Sequence, residues 1–168
     1  MQLVGIHAAA LNLCCVCVDS AEAGECRGQL FHYYTNEALP FQNQDELIMM
    51  MDALCDELGY PEAAEQLRSF GRSARAKAPE KEVTRLMSKD DLAAQKGMMA
   101  TFVVHVMHRQ NATWQGTMVW AEKNQKASFR SALELVKLMD SAVRGTLPSS
   151  DALHPPDDKD ENDSSVQE

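Results

Sequence analysis

The amino-acid sequence predicts an α+β fold: an internal duplication of a β-hairpin–helix unit around antiparallel sheet. At an offset of 88 residues, the segment 28–54 aligns without gaps on 116–142 and keeps seven identical residues. Each copy shows apolar runs typical of strands, followed by apolar residues at helical spacing. Because one hairpin and one helix bury too little apolar surface to fold alone, we expect the two copies to share one sheet or to pack face to face.

The same elements are predicted in the same order in both copies. Each copy has two strands, then a loop that ends in a phenylalanine, then an amphipathic helix. The first copy is predicted to have strands 13–18 and 27–34 and a helix at 44–58. The second is predicted to have strands 101–108 and 114–121 and a helix at 131–144.

Both predicted helices begin with a capping signal. Ser131 is followed three residues later by Glu134, the spacing of a capping box, and Asn43 and Glu46 repeat that spacing in the first copy. Capping accounts for the repeated glutamates, so neither is assigned a catalytic role.

Three more of the repeated residues have structural interpretations. Gly28 and Gly116 lie inside strand patterns, where glycine indicates a bulge or a close approach of backbone. Phe41 and its counterpart Phe129 are expected to fill the corner between sheet and helix. For the repeated aspartates, Asp52 and Asp140, two interpretations stay open: a solvent-side salt bridge, or a contact shared between the copies.

The chain is predicted to have four segments. Residues 1–58 form the first unit, 59–98 a helical and charged connector, 99–144 the second unit, and 145–168 a disordered acidic tail. Within the connector, short helices are predicted at 61–70, beginning with Pro61, and at about 80–87.

The net charge of −9 is unevenly distributed. Residues 1–67 contain eleven acidic residues and one basic residue, Arg27, whereas 97–144 contain six basic and three acidic residues. Opposite charges favour docking of one part on the other, or on a second copy of the chain.

The N-terminal 18 residues are uncharged but lack the basic region of a signal peptide, since no lysine or arginine precedes Arg27. The sequence also has no apolar run with the flanks of a membrane span. A cytoplasmic protein that does not bind membranes is therefore expected.

The cysteines and histidines do not form a recognisable metal or catalytic motif. Cys14 and Cys17 have C-x-x-C spacing, but in a strand their side chains point to opposite faces, as do those of His105 and His108. No second ligand pair completes a zinc site, and no nucleophile or phosphate-binding motif is present. We expect no catalytic residue, no metal and no cofactor, and the chain is not predicted to be an enzyme. A thiol or metal protein centred on Cys14, Cys15 and Cys17 stays open as an alternative.

A second alternative is a nucleic-acid-associated regulator. Trp114 and Trp120 share one face of a predicted strand and lie near Arg109, an arrangement that would suit base stacking. One basic run contains no acidic residue; it comprises Arg68, Arg72, Arg75 and Lys77. The negative net charge disfavours this interpretation, because phosphate binding needs a concentrated basic surface.

Two segments resemble parts of a protein family. RQNATWQGTMVWAEKNQKASFRSALELVKLMDSA (109–142) and GQLFHYYTNEALPFQNQDELIMMMDALCDELGYPEA (28–63) are similar to segments of small uncharacterised proteins of gut clostridia and their relatives. The resemblance implies a bacterial cytoplasmic setting. It assigns a role to no residue.

The interpretation that the sequence favours is a non-catalytic binding or regulatory module that acts through protein–protein contacts. Met49 and Met50 extend the apolar surface of the first helix sideways, and flexible thioethers suit adaptable contact surfaces. With Trp114, Trp120 and Arg109 they form the predicted binding residues. A homodimer is expected, or else a different protein partner.

Overall fold

The computed structural model describes residues 10–22, 24–63, 83–110 and 113–145. The strands are β1 (Leu13–Glu22), β2 (Glu25–His32), β3 (Leu39–Phe41), β4 (Ala100–His108), β5 (Gln115–Trp120) and β6 (Gln125–Phe129). The helices are α1 (Gln44–Leu58), α2 (Lys89–Ala94) and α3 (Ala132–Val143). The strands form one antiparallel sheet in the order β3-β2-β1-β4-β5-β6, which confirms the α+β class. The predicted tail from residue 146 and the basic run lie outside the described residues.

The two long helices were predicted well, but one strand in each half was missed. Helix α1 has the predicted bounds, and α3 lies within one residue of them at each end. The missed strands, β3 and β6, are the two edges of the sheet. Neither sequence is typical of a strand, because β3 contains Pro40 and β6 is largely polar and exposed, as edge strands often are.

The predicted connector helices were wrong where the structure describes them. Residues 61–63 are not helical, because the Ala63 backbone forms a parallel bridge with Arg109; the rest of the predicted helix 61–70 lies outside the described residues. Residues 83–87 are not helical either. The helix of this region is α2, and it begins after Ser88, whose side chain forms a capping box with Asp91.

The repeated glycines lie at close approaches between strands, as predicted. A Cβ atom on Gly28 would lie 1.9 Å from the carbonyl oxygen of Cys17, and one on Gly116 would lie 2.1 Å from that of His105. Only glycine fits such a contact without moving backbone. In each hairpin a bulge directly follows the residue paired with the glycine. It lies between Val18 and Ser20 in the first hairpin and between Val106 and His108 in the second.

The caps of the long helices are also as predicted. The Asn43 and Ser131 side chains each accept a hydrogen bond from the backbone N–H three residues later. Each capping glutamate reaches the residue before the cap: Glu46 accepts from the Gln42 N–H, and Glu134 accepts from the Arg130 N–H. The glutamates are thus occupied at the helix termini.

Alternation along the strands separates two apolar clusters. On the first face, strand residues such as Val16 and Val104 pack with the buried residues of α1 and α3. On the second face, residues such as Cys15 and Val103 pack with Met87 and Leu92 from the segment that contains α2. Phe41 and Phe129 are fully buried on the first face at the ends of the edge strands, as expected for corner residues. Each face therefore has its own cover.

Candidate functional site

The structure separates the residues that the sequence predicted to bind a partner. Trp114 is only 9% exposed and belongs to the first-face core, so it cannot stack on a base. Met50 is half-buried and packs against the same core. Met49, by contrast, is 68% exposed on α1. Of these, only Met49 offers a free apolar side chain.

Trp120 is half-buried at the end of β5. Its ring lies 6.3 Å from that of Phe102, and the Lys123 ammonium lies 5.8 Å from its centroid. Its indole Nε1–H is buried and has no hydrogen-bond partner among the described residues. The ring faces the core with Trp114, as the shared-face prediction requires, so it does not form an exposed stacking platform.

Arg109 is buried and joins the two halves of the chain. Its Nη1 donates to Asp52 Oδ1 at 2.9 Å and to Asp56 Oδ1 at 2.7 Å, and its Nε donates to the Pro61 carbonyl at 2.9 Å. Burial alone lowers the pKa of Arg109, but the bonds to the aspartates outweigh it and raise the pKa above its usual value. The prediction of Arg109 as a partner-binding residue is therefore not supported by its position, since its donors bind groups within the chain.

Both open interpretations of the repeated aspartates are found, one for each residue. Asp52 binds Arg109, so it forms the contact between the halves. Asp140 pairs with Arg144 one helical turn later at 2.8 Å, and that arginine side chain is 54% exposed. Equivalent positions thus carry a buried link in one half and a surface pair in the other.

The outer surface of α1 is acidic. The helix contains five acidic residues and no basic one: Asp45, Glu46, Asp52, Asp56 and Glu57. Met49 lies among them. In α3 the position equivalent to Met49 carries Lys137, and the position equivalent to Asp45 carries Leu133, which is 63% exposed.

The five cysteines are free and buried, and they divide between the two faces. Cys14 belongs to the first-face core, and Cys17 belongs to the second-face core, which confirms that this pair cannot bind one ion. Cys15 and Cys17, however, lie on the same face with their sulfur atoms 3.9 Å apart. Sequence reasoning weighed the C-x-x-C pair and passed over the C-x-C pair, although the period of two along a strand could have identified it.

Asn12 is a buried polar residue that the sequence analysis did not single out. Its Nδ2 donates to the Val106 carbonyl at 2.7 Å and lies 3.7 Å from the Cys55 sulfur. Its Oδ1 is buried with no partner among the described residues. The amide anchors the start of β1 to the end of β4.

Within the described residues, no group of three or more histidine, cysteine, aspartate or glutamate side chains is placed to hold a metal ion. None of the described helices has both the length and the apolar character that crossing a bilayer requires. Comparison with protein-family models, with curated proteins and with solved structures finds no match for this chain.

Proposed function

We propose that the chain is an internal duplication of one strand–strand–strand–helix unit, and that it acts as a non-catalytic binding module through protein–protein contacts. The observation that carries the second part is the exposed Met49 at the centre of an acidic helix surface. A cytoplasmic setting belongs to the proposal and is supported by the five unpaired cysteines, since disulfides form in oxidising compartments.

The duplication is supported by strand pairing as well as by sequence identity. In the first half Gly28 lies opposite Val18 and Phe41. Adding 88 to each number gives the pairing found in the second half, where Gly116 lies opposite Val106 and Phe129. An experimental structure in which residues 13–54 and 101–142 do not superpose would contradict the duplication.

The two long helices carry different charge on their surfaces. Each half contributes three strands to the shared sheet and one long helix to its first face. At the position equivalent to Met49, α3 carries the basic residue Lys137. Each long helix exposes one large apolar residue, Met49 in α1 and Leu133 in α3, whereas the excess of five acidic residues over basic ones is specific to α1.

The partner that we propose for this surface is a second copy of the chain. The second half exposes basic side chains that complement α1: Lys123, Lys126, Arg130 and Lys137. Charge complementarity of this kind orients association and favours one docking geometry over others. A methionine at the centre of such a contact supplies the desolvated apolar area that exposed ion pairs lack.

Sedimentation velocity at tens of micromolar protein tests this proposal. We expect the wild-type protein to have the dimer mass, twice 18.7 kDa, at low salt. The mass should fall toward the monomer value of 18.7 kDa as salt is raised, because salt screens the charge pairs. Met49→Lys should give the monomer mass even at low salt. Leu86→Lys is the matched control, because Leu86 is 56% exposed but lies beside Met87 of the second-face cluster, away from α1 and α3, and it should leave the dimer intact.

Two outcomes would overturn the proposal. One is a wild-type chain that stays at 18.7 kDa over the whole concentration range. The other is an equal effect of Met49→Lys and Leu86→Lys, which would indicate a general effect of added positive charge. Salt-sensitive retention on a polyanion column would instead favour the nucleic-acid alternative, although the burial of Trp114 counts against it.

A further inference from the structure

The two long helices lie on the first face of the sheet and run in opposite directions. Each strand is antiparallel to its neighbours, so β3 and β6, at the two ends of an order of six strands, point to opposite ends of the sheet. Helix α1 begins shortly after β3 and packs back on β2 and β3, and α3 begins shortly after β6 and packs back on β4, β5 and β6. The helices therefore form one layer of two antiparallel neighbours.

The outer surface of each helix contains a row of residues at a spacing of four, which places them on one side of the helix. In α1 the row has four exposed residues: Asp45, Met49, Ala53 and Glu57. The equivalent row of α3 begins with Leu133 and Lys137, which are also exposed. Asp45 is equivalent to Leu133 and Met49 to Lys137, so the apolar and the charged position are exchanged between the rows.

This exchange makes the two rows complementary when they are antiparallel. With Met49 placed opposite Leu133, a step of four residues along both helices brings Asp45 opposite Lys137. A parallel arrangement with the same apolar contact would leave Asp45 and Lys137 on opposite sides of it, about 12 Å apart along the helix axis. The antiparallel direction is therefore the one that pairs apolar with apolar and acidic with basic.

The other charged residues of α3 do not oppose an acidic partner. Glu134 accepts a hydrogen bond from the Arg130 N–H and lies 3.8 Å from the Nε of the same arginine. Asp140 pairs with Arg144 at 2.8 Å. Both acidic residues of α3 thus have a basic partner nearby, whereas the acidic residues of α1 have no basic residue in their own helix.

We propose that two copies of the chain associate through reciprocal contacts of α1 with the antiparallel α3 of the other copy, with Met49 against Leu133 and Asp45 against Lys137. A two-fold axis parallel to the helices forms both contacts at once, because α1 and α3 are antiparallel neighbours within each chain. A two-fold axis across the helices would instead place the acidic α1 of one copy against that of the other, which like charges disfavour. This inference rests on the proposed function and names the surface of the second copy that α1 binds.

Site-directed cross-linking tests the contact, since the five natural cysteines are buried. Full-length Met49→Cys and Leu133→Cys chains, one of them tagged so that the products differ in mass, are mixed at low salt and treated with a short bis-maleimide. We expect cross-linked pairs that contain one chain of each variant, and little cross-linking of either variant alone. Leu86→Cys is the matched control for Leu133→Cys: Leu86 is 56% and Leu133 is 63% exposed, but Leu86 lies beside the second-face cluster and should not cross-link to Met49→Cys.

Charge reversal tests the antiparallel direction. Asp45→Lys alone, or Lys137→Asp alone, places like charges against each other at both contacts, so each should raise the dimer Kd about tenfold or more. The double variant restores opposite charges at both contacts, so its Kd should return to within about threefold of the wild-type value. Sedimentation equilibrium of the full-length chains measures these constants.

The outcomes separate this inference from the proposed function. A wild-type dimer in which Met49→Cys cross-links to itself, or to Leu86→Cys as readily as to Leu133→Cys, would overturn the α1–α3 contact and leave the dimer standing. A double reversal variant that is weakened by the sum of the two single effects would do the same. A wild-type chain that stays at 18.7 kDa would overturn both proposals.

Discussion

Cys15 and Val103 lie opposite each other in the central strand pair, and they are also 88 residues apart in the sequence. A two-fold axis perpendicular to the sheet at this pair would exchange β1 with β4. The neighbouring pairs obey the same relation: the offset converts the pair of Cys17 and Thr101 into that of His105 and Leu13. The central pair is therefore the point about which the two halves are arranged.

Gly28→Ala and Gly116→Ala should destabilise the fold to a similar extent. Each added Cβ would meet a strand carbonyl oxygen at 1.9 or 2.1 Å, and strand backbone cannot move without breaking the sheet. We expect a loss of about 3 kcal/mol or more in the free energy of unfolding, measured with urea. Gly59→Asn is the control. It keeps a left-handed residue with open space around it and should cost less than about 1 kcal/mol. A similar loss in all three variants would contradict the close-approach argument.

Arg109→Met should destabilise the protein much more than Arg144→Met. The first removes the buried cation that binds Asp52 and Asp56. Because these aspartate side chains are 20% and 30% exposed, we expect a loss of about 3 kcal/mol in the free energy of unfolding, the lower end of the range for a broken buried ion pair. The second removes a surface pair with Asp140 and should cost at most about 0.5 kcal/mol.

Urea unfolding of both variants measures the difference. In the Arg109→Met background, Asp52→Asn with Asp56→Asn should restore part of the loss, because neutral amides need no countercharge. Equal urea midpoints for Arg109→Met and Arg144→Met would show that the buried ion pair does not join the halves.

Sequence reasoning predicted the long helices because they depend on local patterns. The helix bounds follow from caps at Asn43 and Ser131 and from apolar spacing within 15 residues. The edge strands were missed because neither LPF nor QKASF has a strand pattern of its own: β3 has three residues and contains Pro40, and β6 is largely polar.

The candidate binding residues show the same limit. Composition could identify Met49, Trp114 and Arg109 as unusual, but burial decides what each can do, and burial depends on packing between halves. Arg109 binds aspartates 57 and 53 residues away in the sequence, which no local pattern predicts. The C-x-C pair needed only the period of two along a strand.

Lowering the pH should destabilise the protein through His32. Burial lowers the pKa of this imidazole, with Glu57 opposing the effect, and its Nδ1 accepts a hydrogen bond from the Tyr34 N–H at 3.2 Å. The unfolded histidine has a pKa of about 6.5, so the unfolded state binds the proton first as the pH falls. Stability from the neutral ring is thus complete above about pH 7 and is lost below it, with a slope of at most about 1.4 kcal/mol per pH unit.

Urea midpoints measured between about pH 7.5 and about pH 5.5, on either side of the ordinary histidine pKa of about 6.5, give this slope. His32→Asn keeps an acceptor for the Tyr34 N–H without titrating, so its midpoint should depend less on pH. His108→Asn, on an exposed residue, should keep the wild-type dependence. An unchanged slope in His32→Asn would rule out His32 as the group responsible.

The cysteines should not react with thiol reagents in the folded protein. All five are buried, and burial raises the pKa of Cys14, Cys26 and Cys55, so little thiolate forms at neutral pH. Ellman's reagent should detect fewer than one thiol per folded chain and five in urea. Rapid reaction of any cysteine without denaturant would contradict this prediction, because it would show that the structure around that cysteine opens readily.

Mild peroxide treatment should oxidise methionines in the order of their exposure. Met98 is 87% and Met49 is 68% exposed, whereas Met51 and Met139 are 1% and 0% exposed in the first-face core. Oxidation of a thioether requires contact with the oxidant, so the first two should be modified well before the others, as measured by peptide mass spectrometry.

The protein concentration should affect the two exposed residues differently. If α1 pairs with a second copy, Met49 should be protected at tens of micromolar and exposed on dilution, while Met98 stays reactive throughout. Equal reactivity of Met49 at both concentrations would place the contact elsewhere on the molecule.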